Sequence, residues 1–340
     1  VSIVIAVKTW GAAVATSLPD SVQRRLAGRP VRLDGQRLAT DVQLMLRLMR
    51  WTLTHGAETY PVPRGRRALV DHTALTAGSQ PVGSTRELTV AGLPARLYVP
   101  TGAATPGPLL VFLHGGGFVY GDLASHDAAC RHLAEHSGVR VLAVDYRLAP
   151  EHPFPAAYDD AQAAYRWALE HAAELGTTRE RLAVGGDSAG ANLAAGVAIE
   201  AARDGLPLAF QLLVYPVTDA VRGTRSARLF GSGFYLTAAF MDLVTGHYLG
   251  ATDPRDPRVS PAYADLPAGL APALVVTAGF DPLRDEGEAY ARQLEAAGVT
   301  VELRRFPDQV HGFLNIVGIG TSSRAANAEI ADRLRAAMRV

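Results

Sequence analysis

A chain of 340 residues, 48% hydrophobic and 19% charged, is globular and long enough for one large domain with a lid or for two small ones. Thirty-three basic residues balance thirty-three acidic ones, and the arginines are scattered throughout, so no global field favours nucleic acid or an acidic membrane. Cys130 stands alone, which excludes an internal disulfide framework, and no segment reaches the roughly 20 apolar residues of an integral membrane span.

In chain order, residues 1–17 begin apolar and offer Ala13-Val14-Ala15 as a signal-peptidase site. There is no basic n-region, however, and Lys8 interrupts the run, so the expectation is a cytoplasmic protein with this segment unassigned. Residues 18–80 read as a helical cap segment, with Leu44, Leu48 and Trp51 on one stripe that Val42, Met45 and Met49 widen. Residues 81–340 read as the main domain, where short apolar runs alternate with longer Ala-rich stretches, the rhythm of a parallel sheet with helices on both faces. Residues 87–90 and 95–99 flank a Gly-Leu-Pro turn and predict an antiparallel hairpin. Residues 109–113, 139–144, 182–184, 210–214, 274–277 and 299–304 predict the central strands, and 156–174, 189–202, 284–297 and 323–338 predict helices. Residues 220–264 break the rhythm and read, with 18–80, as a lid; peripheral packing without a role is the alternative.

The chemistry gathers at strand ends. Gly186-Asp187-Ser188-Ala189-Gly190 fits G-x-S-x-G, with a short apolar run before it and an Ala-rich stretch after it. Alone, the pattern leaves open whether Ser188 is a nucleophile or part of an ordinary turn. The run at 109–113 leads into His114 and three glycines, a loop whose bare backbone N–H groups suit an oxyanion hole; a phosphate loop would want a Lys or Ser/Thr at its end, and none follows. A serine nucleophile needs a base and the base an orienting acid. Asp281 stands just past the run at 274–277, and His311 in a loop after the last strand, giving the order Ser, Asp, His that belongs to one of the unrelated triad folds. Asp285, Glu286 and Asp308 are rival acids; the first two better suit the start of a helix, and Asp308 the shaping of its loop.

HGGGF at 114–118, DYRLAPEHPFPAAYDD at 145–160, GDSAG at 186–190, DPLRDE at 281–286 and HGF at 311–313 together resemble the hormone-sensitive-lipase family of α/β-hydrolases, in its bacterial esterase branch. That resemblance implies an α/β-hydrolase fold with a mostly parallel sheet, flanking helices and a helical cap. It implies a serine carboxylesterase for short- to medium-chain esters, using Ser188, Asp281 and His311. Gly115, Gly116 and the N–H of Ala189 would form the oxyanion hole. His114 would be structural, and Asp145, Tyr146, Arg147 and Glu151 would build a buried turn beside the site. The acyl pocket is expected under the lid, lined by the N-terminal helices with Phe234, Tyr235, Leu236 and Tyr248. No metal or organic cofactor is expected: His132 and His136 have i,i+4 spacing, but His126, Cys130, His132 and His136 fall on a stretch that resembles a scaffold helix of the same family. The expected partner is a small-molecule ester, with a homodimer through the last strand and its neighbouring helix as an analogy. An amidase or arylformamidase, a long-chain lipase and a non-catalytic receptor are the alternatives.

Overall fold

The protein is described by a computed structural model over residues 15–51 and 56–339; the expectation for residues 1–17 lies almost wholly outside the described residues. A two-stranded hairpin, β1 (Arg32–Leu33) and β2 (Gln36–Arg37), interrupts the otherwise helical N-terminal segment. The main sheet begins with the antiparallel hairpin β3 (Ser84–Val90) and β4 (Leu93–Val99). It continues through β5 (Leu109–Leu113), β6 (Arg140–Val144), β7 (Leu182–Asp187), β8 (Phe210–Val214), β9 (Ala273–Phe280) and β10 (Val301–Val310). Its eight strands lie in the order β10-β9-β8-β7-β5-β6-β4-β3, and all pairings from β6 to β10 are parallel.

Strands β5 to β9 are buried along their whole length, as parallel strands covered on both faces must be. Alternation divides the core: Leu109, Val111 and Leu113 face the helices Ala156–Glu170 and Ala189–Arg203, while Leu110 and Phe112 face Asp127–Ser137 and Ser322–Met338. Three of the central strands run further than their apolar runs suggest. β7 continues through Gly185 and Gly186, which carry no hydrophobic signal yet pair with Phe112 and Leu113 on one side and Leu212 and Leu213 on the other. β9 extends to Phe280 and β10, past an irregular pairing between Phe306 and Val310, to the residue before His311. The helix expected to reach residue 174 stops at Glu170, and residues 171–176 turn back instead.

Both segments outside the rhythm are tied to this framework by polar contacts. In the N-terminal one, Val42, Leu44 and Met45 are buried in the helix Thr40–Trp51, but Trp51 is exposed under the Arg47 guanidinium rather than in the stripe. Asp41 accepts the backbone N–H groups of Thr321 and Ser322 at 2.7 and 2.8 Å, closing the N-terminus of the last helix with a carboxylate from far along the chain. Arg66, on the helix Val62–Ala77, donates to the carbonyls of Val119 and Ala149 and pairs with Glu151. Glu151 and Arg147 are exposed, so only part of the turn expected to be buried there is: Tyr146 is inside, donating its hydroxyl to the His114 carbonyl at 2.6 Å. The second segment holds the helices Arg225–Phe230 and Ala238–Leu249, opened by Thr224 and Thr237, whose hydroxyls accept from Ala227 and Phe240.

The loop leaving β8 is pinned by Glu286 of the helix Arg284–Ala296, whose Oε1 accepts the N–H groups of Thr218 (2.9 Å) and Asp219 (3.2 Å). Burial pushes this carboxyl up to about 8, outweighing the two N–H donors, and Asp219 and Asp281 add to the rise. The fold therefore keeps a proton that the unfolded chain releases, so this group's contribution to stability declines as pH rises from the ordinary carboxylic range through about 8. Urea denaturation at pH 5 and pH 9 is expected to show Glu286→Gln gaining on the wild type by on the order of a few kcal/mol at the higher pH. A constant difference between the two proteins would show that the carboxyl is already ionised in the fold.

Candidate active site

Ser188 is the first residue after β7 and the last before the helix Ala189–Arg203. Its backbone lies at φ 54°, ψ −117°, left-handed for a non-glycine residue, a conformation that costs on the order of 1–3 kcal/mol and needs a framework to impose it. The framework is close packing. A Cβ at either Gly186 or Gly190 would run into the carbonyl oxygen of Leu113 at the end of β5, so the two fixed glycines of the motif answer to one neighbouring backbone atom. The Ser188 N–H in turn donates to Val214 O at 2.9 Å.

The two other candidate residues converge on it. Asp281 follows β9, is fully buried, and its Oδ1 accepts the N–H of Leu283 at 2.8 Å. Its other oxygen lies 2.8 Å from His311 Nδ1, and His311 Nε2 lies 3.0 Å from Ser188 Oγ. With Nδ1–H donated to the carboxylate, the Nε2 lone pair faces the serine hydroxyl. The rival acids are occupied elsewhere: Asp285 pairs with Arg284 and accepts Ser226 N–H, Glu286 holds the loop after β8, and Asp308 accepts from Gln309.

The glycine loop departs from expectation in one donor. Gly115 N–H is directed at Asp187 Oδ1 at 2.8 Å, so it has no hydrogen left for a substrate oxygen. The backbone N–H groups of Gly116, Gly117 and Ala189 have no acceptor among the described residues, so of the three donors expected for an oxyanion hole Gly116 and Ala189 are free and Gly115 is not, while Gly117 is a further free N–H. Gly116 and Gly117 have positive φ, 124° and 65°, open to glycine at little cost. His114 is buried and stacked on Tyr146 at 4.3 Å, and burial pushes its imidazole down to about 4, with His126 adding to the fall. It is a neutral packing element.

Sequence reasoning passed over the group that organises this loop. Asp187 is 3% exposed, and besides Gly115 N–H it has His126 Nε2 at 3.2 Å and receives the Tyr215 hydroxyl at 3.3 Å. Burial works to raise its carboxyl, but His126 and the Gly115 N–H prevail and hold it below the ordinary range. The only sequence signal was Asp187's place beside Ser188; nothing in the spacing links it to His126.

Ser188 opens on two cavities of unequal size. The larger, about 290 Å³, is lined by Leu46, Met49 and Leu69 of the N-terminal helices, by Tyr235, Leu236 and Phe240, and by His311, Gly312 and the half-buried carboxylate of Glu58. The smaller, about 50 Å³, is almost wholly apolar and is lined by Gly117, Leu236, Met241, Val244, Leu249 and Tyr248, whose ring stacks on Phe118 at 3.9 Å. Of the four residues expected at one pocket, Tyr235 belongs to the larger cavity, Tyr248 to the smaller and Leu236 to both. Phe234 lines neither: its ring packs against Phe230 and Phe280 beneath the site. His132 and His136 face each other at 4.2 Å, and no group of three or more metal-ligating side chains occurs among the described residues. No helix among them is long and apolar enough to cross a membrane.

Residues 110–315 match the family model for an alpha/beta hydrolase fold. The carboxylic ester hydrolase LipN of Mycobacterium tuberculosis is 45% identical over 96% of this chain and 90% of its own length. An ethyl acetate hydrolase of Pseudomonas putida is 45% identical over 67% of this chain and 73% of its own. Among solved structures, an esterase of the archaeon Pyrobaculum calidifontis superposes with a TM-score of 0.82 at 37% identity, covering 88% of this chain and 98% of that one. With its parallel sheet, its strained serine after β7 and these relatives, the chain belongs to the α/β-hydrolases, and within them to the carboxylesterases that resemble hormone-sensitive lipase.

Proposed function

We propose that Ser188, His311 and Asp281 carry out ester hydrolysis, and that the acyl group taken is short. The observation that carries the reading is the hydrogen-bonded row from Ser188 Oγ through His311 to the buried Asp281, at 3.0 and 2.8 Å. His311 Nε2 takes the hydroxyl proton as Oγ attacks the ester carbonyl carbon. The carbonyl oxygen gains the negative charge, facing the N–H groups of Gly116, Gly117 and Ala189, donors worth most in the transition state. The tetrahedral intermediate collapses, the bond to the alcohol oxygen breaks, and the imidazolium returns its proton to that oxygen. Water then repeats the sequence on the acyl-enzyme, releasing the acid.

The leaving oxygen must face His311 Nε2 to be protonated, and His311 lines the larger cavity but not the smaller. The alcohol portion therefore belongs in the larger space and the acyl chain in the smaller, which has room for only a few carbon atoms. Segments 18–80 and 220–264 act as a two-part cap, since they supply most of the apolar lining.

The direct test is hydrolysis of a p-nitrophenyl ester series. Acetate and butyrate are expected to exceed octanoate and palmitate in kcat/KM, and Ser188→Ala to lower turnover by roughly 10⁴-fold or more. A palmitate optimum would defeat the acyl assignment, and residual wild-type rates in the alanine variant would defeat the nucleophile. A separate expectation concerns Asp187→Asn, which leaves an acceptor for Gly115 N–H but sets an amide against His126. Its kcat on p-nitrophenyl acetate is expected to drop about ten- to a hundredfold with KM little changed, because donors to the transition state are misplaced rather than removed; unchanged kcat would show that the loop holds its shape without the carboxylate.

A further inference from the structure

The larger cavity contains a charge that the hydrolytic chemistry does not use. Glu58, on the short turn Ala57–Thr59, is half-buried in its wall. Its Oε1 accepts the Thr237 hydroxyl at 3.2 Å, and no basic side chain among the described residues pairs with it. Arg66 is engaged by Glu151 and two backbone carbonyls. Arg50 and His72 line the same cavity; Arg50 is exposed in the last turn of its helix, where water screens it.

Two aromatic side chains share the cavity wall with this carboxylate. Tyr235, 39% exposed, and Phe240 line the cavity with it, and the Thr237 hydroxyl that donates to Glu58 also accepts the Phe240 N–H at 3.0 Å, which ties the carboxylate to the start of the helix carrying one of the rings. A carboxylate without a cationic partner among the described residues, in one cavity wall with a tyrosine and a phenylalanine ring, is the composition of a site for an organic cation.

We propose that Glu58 is a specificity-determining residue, and that the alcohol portion of the preferred ester carries an ammonium group held between Glu58 and the Tyr235 and Phe240 rings. The proposal rests on the assignment of the alcohol portion to the larger cavity. Binding energy there acts on the leaving group, so it raises kcat/KM for the cationic ester over an uncharged one of the same shape.

The test compares acetylcholine with its neutral carbon isostere, in which a tert-butyl group replaces the trimethylammonium, and uses p-nitrophenyl acetate in the same preparations to report the hydrolytic chemistry. At low salt the cationic ester is expected to be favoured about tenfold in kcat/KM. That preference should shrink toward one at high salt and in Glu58→Gln, which keeps an acceptor for Thr237, and should reverse in Glu58→Lys. A wild-type ratio of one or below, with p-nitrophenyl acetate turned over, overturns the role of Glu58 and leaves the esterase reading standing. A preference that survives Glu58→Gln overturns it equally. Absence of turnover on every ester would remove the esterase reading and this proposal with it.

Discussion

The buried carboxylate of Asp187 joins two pieces of chain that arrive separately at the site. One is the glycine loop leaving β5, gripped through Gly115 N–H; the other is the turn that carries Ser188, one peptide away. A charge this deep is tolerable only when its oxygens are satisfied, and here a backbone N–H, a histidine and a tyrosine hydroxyl surround it. The consequence is geometric: the free N–H groups of the glycine loop and Ser188 cannot drift apart without exposing an unpaired carboxylate. The same bond that fixes the loop removes Gly115 from the set of free donors, so rigidity is gained at the expense of one donor and the next glycine takes its place.

The topology then explains why the remaining groups meet. The glycine loop, Ser188, Asp281 and His311 follow the carboxyl ends of β5, β7, β9 and β10, all parallel, so they emerge at one edge of the sheet. Crevices outside the carboxyl ends of parallel strands are where open α/β sheets bind ligands. The close approach of Gly186 and Gly190 to Leu113 O makes the junction of β5 and β7 rigid enough to hold the serine in a strained conformation.

What the sequence revealed and what it concealed divide along a physical line. Apolar runs located every strand of the main sheet; burial on both faces demands them in β5 to β9, while the outer strands β3 and β10 are largely exposed. Their ends were misjudged where the signal changes in kind, as at Gly185 and Gly186, which are buried strand residues without side chains. The convergence of Ser188, Asp281 and His311 was readable because each sits at a strand end and their order is restricted. Gly115 and Phe234 were misassigned for a different reason: a backbone N–H shared with Asp187, or a ring turned toward Phe280 instead of the cavity, depends on contacts between distant segments that no local pattern records. The same holds for Glu58, far along the chain from every motif, yet in the wall of the cavity.

The two segments outside the sheet matter because neither completes a cavity alone. Leu46, Met49 and Glu58 come from one and Tyr235, Leu236 and Phe240 from the other, and the Thr237 hydroxyl on Glu58 is a direct bond between them. That bond has two effects with different distance dependence. The hydrogen bond acts only at contact, so it registers the two segments over Ser188; the charge on the same carboxylate acts across the cavity and selects what enters. A neutral acceptor at this position would preserve the first effect and lose the second, so a carboxylate there is explained by the ligand rather than by the fold.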